Sequence, residues 1–173
     1  MGHHLTTFIG RREVLERLPV PGLRLLALPQ GMYLAPMMPE MLAEVMTEDQ
    51  TTEEVMDELA KVASAAGPIG WLISDWFGGM GGTETALWEG GRKVPATQNE
   101  MFAALGVVRV KPESDKSPFW QWIDRVAGVD KLEPPLDEWD SLGLGGWRGT
   151  DTAHEAATPV NSQWTPAEKK TEE

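Results

Sequence analysis

The sequence predicts an α+β domain in which helices pack against a mostly antiparallel sheet with a central three-stranded meander. Two apolar stripes at helical spacing each follow a capping box, and the stretch between them has the period of a strand. The composition is that of a globular domain, because 41% of the 173 residues are hydrophobic and 24% are charged. Helices interspersed with antiparallel strands are typical of the α+β class.

The first part of the chain predicts one short helix and one hairpin. Residues 10–18 carry apolar side chains on one side of a helix, and Pro19 ends it. Residues 23–28 and 32–35 are apolar runs on either side of a Pro-Gln-Gly turn, which predicts a β-hairpin. Residues 1–6 lack such a pattern, and we expect them to form a frayed terminus in solvent.

Two helices follow the hairpin. Pro39 suits the first position of a helix that runs to about residue 46. In the second helix Thr51 and Glu54 form a capping box, and apolar residues then recur at helical spacing. The Gly-Pro pair at residues 67–68 ends this helix.

The middle of the chain predicts the meander. Residues 69–77 and 83–89 have strand character, and the Gly-rich residues 78–82 form the turn between them. A second Gly-Gly turn leads into the third strand at Arg92. Beyond the meander the sequence predicts a helix capped by a Thr-x-x-Glu box at residues 97–100, a short strand and a further short helix. That strand covers residues 107–110, and that helix begins at residue 117.

We expect residues 1–149 to form a single α+β domain and residues 150–173 to form a flexible acidic tail. The tail is rich in Thr, Ala, Pro and Glu and lacks apolar periodicity. No apolar run approaches the roughly 20 residues that span a bilayer, and no charged-then-apolar leader opens the chain. These observations predict a cytoplasmic protein that does not bind a membrane.

Charge and composition exclude several classes of function. The chain has 27 acidic and 15 basic side chains, a net charge of -12 and an isoelectric point near 4.7, which argues against a nucleic-acid partner. The absence of Cys excludes disulfides, thiolate nucleophiles, iron–sulfur clusters and Cys-based zinc sites. Because metal-ligand spacings are also lacking, we expect no cofactor and no metal. The one His outside the N-terminus, His154, falls in the predicted tail, so no catalytic triad is expected.

The acidity is concentrated in residues 31–66, which carry eight acidic side chains and one basic side chain. We expect this region and the acidic-aromatic end of the first meander strand to bind a basic protein partner. The candidate residues are Glu48, Asp49, Glu53, Glu54, Asp57, Glu58, Asp75 and Trp76. Carboxylates at a helix start also favour the helix dipole by ~0.3–1 kcal/mol each, and this structural role stands beside the partner role. A dense cluster of carboxylates repels itself, and a basic partner would relieve that repulsion.

Two further features leave alternatives open. Six of the nine Met residues lie between positions 32 and 56, and Met-rich surfaces can adapt to a binding partner. The spacing of Met41, Leu42 and Met46 is that of a buried helix face, which favours core packing instead. The Gly-rich residues 78–82 lack the Lys of a P-loop and lead into a strand, which favours a turn over a nucleotide site.

Two other classes of function remain as alternatives. The eight Trp residues allow a small-molecule or carbohydrate binding module with exposed rings, for which Trp120, Trp147 and Trp164 are the candidates. A hydrolase could use Asp75 with Glu84 or Glu89, and this alternative ranks last because nothing in the spacing forces the carboxylates together.

Three motifs carry a resemblance to a known group of proteins. Residues 67–88 read GPIGWLISDWFGGMGGTETALW, residues 103–107 read AALGV and residues 137–145 read DEWDSLGLG. With these motifs in this order, the chain resembles an uncharacterised family of small acidic bacterial proteins. In that family an aromatic-rich strand ends in a Phe-Gly-Gly turn and pairs with a strand ending in Trp. Such proteins look like immunity or accessory proteins of bacterial toxin loci, so the resemblance implies an immunity-like protein that neutralises a cationic protein. Their oligomeric state is not implied.

Overall fold

The protein is built on a seven-stranded sheet in which every neighbouring pair is antiparallel. The computed structural model describes residues 3–77, 80–109, 139, 142–144, 147 and 149–160. In chain order its strands are β1 (His3–Gly10), β2 (Arg24–Ala27), β3 (Tyr33–Pro36), β4 (Ile69–Phe77), β5 (Met80–Glu89), β6 (Arg92–Val94) and β7 (Thr158–Pro159). The strand order across the sheet is β6-β5-β4-β1-β3-β2-β7. The α+β class with an antiparallel sheet is therefore confirmed, and the predicted meander forms one end of this sheet.

Helices cover both faces of the sheet. Within the described residues they are α1 (Arg12–Leu15), α2 (Pro39–Ala43), α3 (Thr52–Ala63), α4 (Gln98–Ala104) and α5 (Thr150–Ala156). The first three pack on one face around Phe8 and Trp71. The other two pack on the opposite face around Leu5 and Leu72. Within the same residues, no helix has the length and apolar character needed to cross a membrane.

The N-terminal strand β1 occupies the middle of the sheet, between β4 and β3. The expectation of a frayed terminus is therefore wrong from His3 onward. Leu5, Phe8 and Ile9 are fully buried, and Thr7 is buried with them. Because helices cover both faces of a central strand, its side chains do not alternate between apolar and polar, and the sequence gives no strand signal there.

Local signals in the sequence predict their elements well. Thr51 and Thr97 each accept a hydrogen bond from the backbone three residues on, and both complete capping boxes with Glu54 and Glu100. The predicted hairpin forms between β2 and β3, and the meander forms from β4, β5 and β6. Strand β5 begins at Met80, so the turn predicted at residues 78–82 is wrong for residues 80–82. The short strand predicted at residues 107–110 is wrong for 107–109, which have no regular structure. Residue 110 and the helix predicted from residue 117 lie outside the described residues.

Residues 150–160 belong to the fold and do not form the start of a flexible tail. The buried Thr150 accepts a hydrogen bond from the Thr6 N–H at 2.9 Å through its hydroxyl, which joins α5 to β1. Ala153 and Ala157 are buried against the sheet, and β7 pairs with β2. The sequence pattern missed this helix because its apolar face consists of small Ala side chains. His154 lies in α5, and residues 161–173 lie outside the described residues.

Candidate functional site

Asp57, one of the candidate partner residues, is the acceptor that joins α3 to the meander. Its Oδ1 accepts hydrogen bonds from Trp71 Nε1 at 2.8 Å and from Trp88 Nε1 at 2.9 Å. Its Oδ2 accepts a third from Lys93 Nζ at 2.8 Å, and that ammonium lies 5.9 Å from the centroid of the Trp71 ring. The carboxylate thus holds β4, β5 and β6 against one helix.

The pKa of Asp57 reflects two opposing effects. Burial raises it, because a carboxylate loses hydration when it leaves water. The hydrogen bonds from Lys93, Trp71 and Trp88 stabilise the ionised form and outweigh the burial, so the pKa lies below its ordinary value of 3.8. Asp57 is therefore ionised at neutral pH and occupied by internal donors, which leaves it little capacity to bind a partner.

The other acidic candidates near α3 remain accessible. Glu48 and Asp49 are exposed in the turn before the helix, and Glu58 is exposed on the helix itself. Glu54 is exposed and closes the capping box. Within the described part of the chain no ion pair joins any of these four, or the half-buried Glu53, to a basic side chain. Their negative charge is therefore not neutralised locally.

A cavity of about 780 Å³ opens beside the sheet where three helices begin. It is bounded by the first residues of α2, α3 and α5, including Pro39, Thr52 and Thr150. Its apolar lining consists of Met37, Met38, Leu42, Met46 and Ile73. Its polar lining includes His4, Thr6, Glu40, Glu53 and Asp151. Its volume lies within the roughly 300–1,000 Å³ of typical ligand sites.

The methionines of the acidic region divide between the core and this cavity. Met32, Met41 and Met56 are buried, which confirms core packing for Met41, whereas Met46, which the same helical spacing assigns to the core, is half-buried. Met38 and Met46 are half-buried and line the cavity. Core packing is therefore confirmed for the buried Met residues, and the role of the cavity Met residues in binding stays a prediction.

The cavity carries a net negative charge. Glu40, Glu53 and Asp151 each lie in the first turn of the helix to which they belong. A helix N-terminus contributes at most about +0.5 charge, so three such ends offset about half of three carboxylates. The three carboxylates and the three helix ends together leave a net charge of about -1.5. The negative charge of the three carboxylates therefore exceeds the positive partial charge of the three helix ends, and the cavity favours the binding of cations.

The same face of the sheet continues from the cavity to the tip of the β4–β5 hairpin. Ile73 lies at the cavity, and alternation along β4 places Asp75 and Phe77 on the same face. Asp75 pairs in register with His4, and its carboxylate lies 3.9 Å from the imidazole Nδ1, with both side chains mostly exposed. Phe77 is 75% exposed, and Met80, directly opposite it, is 79% exposed. Apolar and acidic side chains thus share one accessible strip.

The register of β4 and β5 shows which of the carboxylates Asp75, Glu84 and Glu89 lie near each other. Glu84 lies opposite Ile73, so it shares a face with Asp75 as a diagonal neighbour about 7–8 Å away. Glu89 is five residues along β5 and faces the other side of the sheet. The structure brings Asp75 and Glu84 onto one face and separates both from Glu89. Over the described ranges no three His, Cys, Asp or Glu residues are grouped to hold a metal.

The Trp residues contribute mainly to packing. Trp71 is 3% exposed, and Trp88 is half-buried with its indole N–H on Asp57. Trp139 and Trp147 are half-buried and pack against the second core, so the expectation of an exposed Trp147 is not met. The backbone of the candidate Trp76 lies in β4 opposite Gly81. The side chain of Trp76, together with Trp120, Trp122 and Trp164, lies outside the described residues.

The chain matches no protein-family model, no curated protein and no solved structure. Sequence reasoning missed His4, Glu40, Asp151 and Ile73, which the fold brings to the cavity from four separate elements. The sequence signal for these residues is weak. Glu40 and Asp151 are carboxylates in the first turns of two short helices, which is a common arrangement.

Proposed function

We propose that this chain is a non-enzymatic acidic protein that binds and neutralises a basic protein partner, in the manner of an immunity protein. The observation that carries the proposal is the group of accessible carboxylates around α2 and α3 beside an open, Met-lined cavity. These carboxylates have no ion-pair partner within the described residues. The proposal places the protein in the bacterial cytoplasm, in line with the resemblance of its motifs.

The charge distribution supports a basic protein as the partner. Residues 31–66 carry one basic and eight acidic side chains, and all eight carboxylates lie on α2, on α3 or on the segment between them. Only Asp57 among those eight is occupied by a basic side chain of the described residues. Concentrated charge of one sign steers a partner of opposite sign and raises its association rate by ~10- to 1,000-fold at low salt.

Affinity capture from the native host tests the proposal. Bound proteins are eluted by a salt gradient, over which the screening length falls from about 10 Å at 0.1 M to about 3 Å at 1 M, and are identified by mass spectrometry. The expected partner is basic and elutes with salt. The double variant Glu48→Lys/Glu58→Lys should weaken its binding about tenfold, because like charges then face each other.

The double variant Glu13→Lys/Glu89→Lys is the matched control, because both carboxylates are exposed and lie outside the acidic region. It changes the net charge equally and should bind the partner as the unchanged protein does. A partner of neutral or acidic isoelectric point, binding insensitive to salt, or an equal loss in both double variants contradicts the proposal.

A small-molecule binding protein is the second candidate, and the volume of the cavity favours it. Intrinsic Trp fluorescence and thermal unfolding across a library of metabolites and glycans test this candidate. A ligand that raises the unfolding temperature and is excluded by Met46→Trp supports it. The absence of any shift contradicts it.

A further inference from the structure

We infer that the cavity receives the apolar side chains of a basic amphipathic segment of the partner, while Lys or Arg side chains of that segment pair with Glu40, Glu53 and Asp151. The inference rests on the proposed function and specifies how the partner is held. It requires a site that is apolar inside, negative at its edge and open to a polypeptide. Each of these properties has a separate origin in the fold.

The interior is suited to aliphatic side chains of variable shape. Met38 and Met46 are half-buried, and Ile73 is half-buried beside them on the sheet. Methionine is unbranched and polarisable, so its side chain can repack around different apolar groups. These side chains already contact the first core, which gives the base of the cavity a rigid support.

The charge of the lining selects the flanking groups of the segment. Three helix starts alone would favour an anion, but the carboxylates of Glu40, Glu53 and Asp151 exceed their partial charges about twofold. No Lys or Arg is found among the described residues that line the cavity. A cationic group with an apolar stem therefore complements the cavity, and an anionic group is repelled.

The accessible strip of the sheet gives the segment room beyond the cavity. Phe77 and Met80 offer exposed apolar surface on the same face, and Asp75 lies between them and the cavity. A single side chain or small molecule would use the cavity alone. The continuity of the cavity and the strip favours a polypeptide whose apolar and basic residues alternate in space.

Methyl-labelled Met residues report on this inference directly. The probe is a synthetic peptide of Leu and Lys with apolar residues at helical spacing, compared with a scrambled peptide and a Leu/Glu peptide. We expect the methyl resonances of Met38 and Met46 to shift with the amphipathic Lys peptide, while those of Met32 and Met101, which are fully buried, stay unchanged. Binding should be weaker for the scrambled peptide and absent for the Leu/Glu peptide.

Variants separate the apolar contribution from the charge contribution. Met46→Gln should raise the dissociation rate of the Lys peptide, and Glu53→Gln/Asp151→Asn should lower its association rate and salt dependence, weakening affinity about 2- to 10-fold. The double variant Glu13→Gln/Glu89→Gln is the matched control, since both side chains are exposed and neither lines the cavity. It should change either rate less than twofold.

Several results would overturn the inference. They are unchanged Met38 and Met46 resonances, shifts confined to Met80 at the hairpin tip, or shifts of the cavity Met residues with inorganic phosphate or the Leu/Glu peptide but not the Lys peptide. Each can occur while the captured partner remains basic and salt-sensitive, in which case the proposed function stands and only the mode of binding fails. Conversely, a cavity that binds the peptide while no basic partner is captured contradicts the proposed function alone.

Discussion

Removal of the Asp57 carboxylate should break the three hydrogen bonds that join α3 to the meander and destabilise the fold. In Asp57→Ala the indole N–H of Trp71 loses its acceptor in a nearly dry environment, which costs about 1–3 kcal/mol. Trp88 is half-buried, so its lost hydrogen bond costs about 0.5–1.5 kcal/mol. The Lys93 pair counts at the surface value of about 0.2–1 kcal/mol, because a quarter of the Asp57 side chain is exposed and water screens the charges.

The total expected loss in unfolding free energy is about 3 kcal/mol, measured by urea denaturation followed by Trp fluorescence. Asp57→Asn retains one oxygen acceptor for the indoles and should cost about 1 kcal/mol. Glu58→Ala, one position further on the exposed side of α3, is the matched control and should stay within about 0.5 kcal/mol. A cost for Asp57→Ala no larger than that of Glu58→Ala would refute the reasoning.

The pH dependence of the unfolding free energy, compared between the unchanged protein and Asp57→Asn, gives an independent check. The folded pKa of Asp57 lies below 3.8, so its ionised form is favoured by folding. That contribution is present above the unfolded pKa of about 3.8 and is lost as pH falls through the lower folded value. The difference in unfolding free energy between the unchanged protein and Asp57→Asn should be constant from neutral pH down to about 5 and then shrink. A difference that grows below pH 4 contradicts the assignment.

Two other substitutions test the packing of α5 and α4 on the sheet. Thr150→Val removes the hydroxyl that accepts from Thr6 N–H, and it should lower the thermal unfolding temperature through a loss of about 1–3 kcal/mol, unlike Thr152→Val at an exposed position. Gly70→Ala places a Cβ 2.6 Å from Met101 Sδ in a filled core and should cost about 1–3 kcal/mol in chemical denaturation, whereas the same change at Gly82 meets nothing within 4 Å. Equal effects at the paired positions would show that the contacts are not the cause.

The sequence predicts those parts of the fold in which the signal is local. Thr51 and Glu54 are three residues apart, so the start of α3 is specified by residues that lie next to each other. Strand β1 is different, because Leu5 and Phe8 point to opposite faces and are buried in two separate cores that include distant helices, α4 for Leu5 and α3 for Phe8. Its pattern becomes visible only when both layers of helices are known. The same reason explains the missed α5, whose Ala153 and Ala157 are buried in the second core and whose Thr150 is bonded to β1, far away in the sequence.

The site could be predicted only in its charge. The acidity of residues 31–66 is visible in the sequence and leads to Glu53, which does line the cavity. It also leads to Asp57, whose internal role depends on two indoles brought together by the register of β4 and β5. His4 and Asp151 join the cavity from opposite ends of the chain, and no pattern of neighbouring residues carries that information.

The carboxylates of the cavity have two explanations, and stability measurements together with binding measurements distinguish them. Glu40, Glu53 and Asp151 all lie in first turns, where a carboxylate stabilises its own helix by about 0.3–1 kcal/mol. If that local role were the whole reason for them, neutral variants would lose this stability and bind a basic segment as before. The local role does not account for why three helices begin around one Met-lined cavity, because each helix could gain the same stability anywhere in the fold. If the neutral variants lose more affinity for a basic segment than their lower stability explains, then the arrangement of three acidic helix starts around one cavity serves binding.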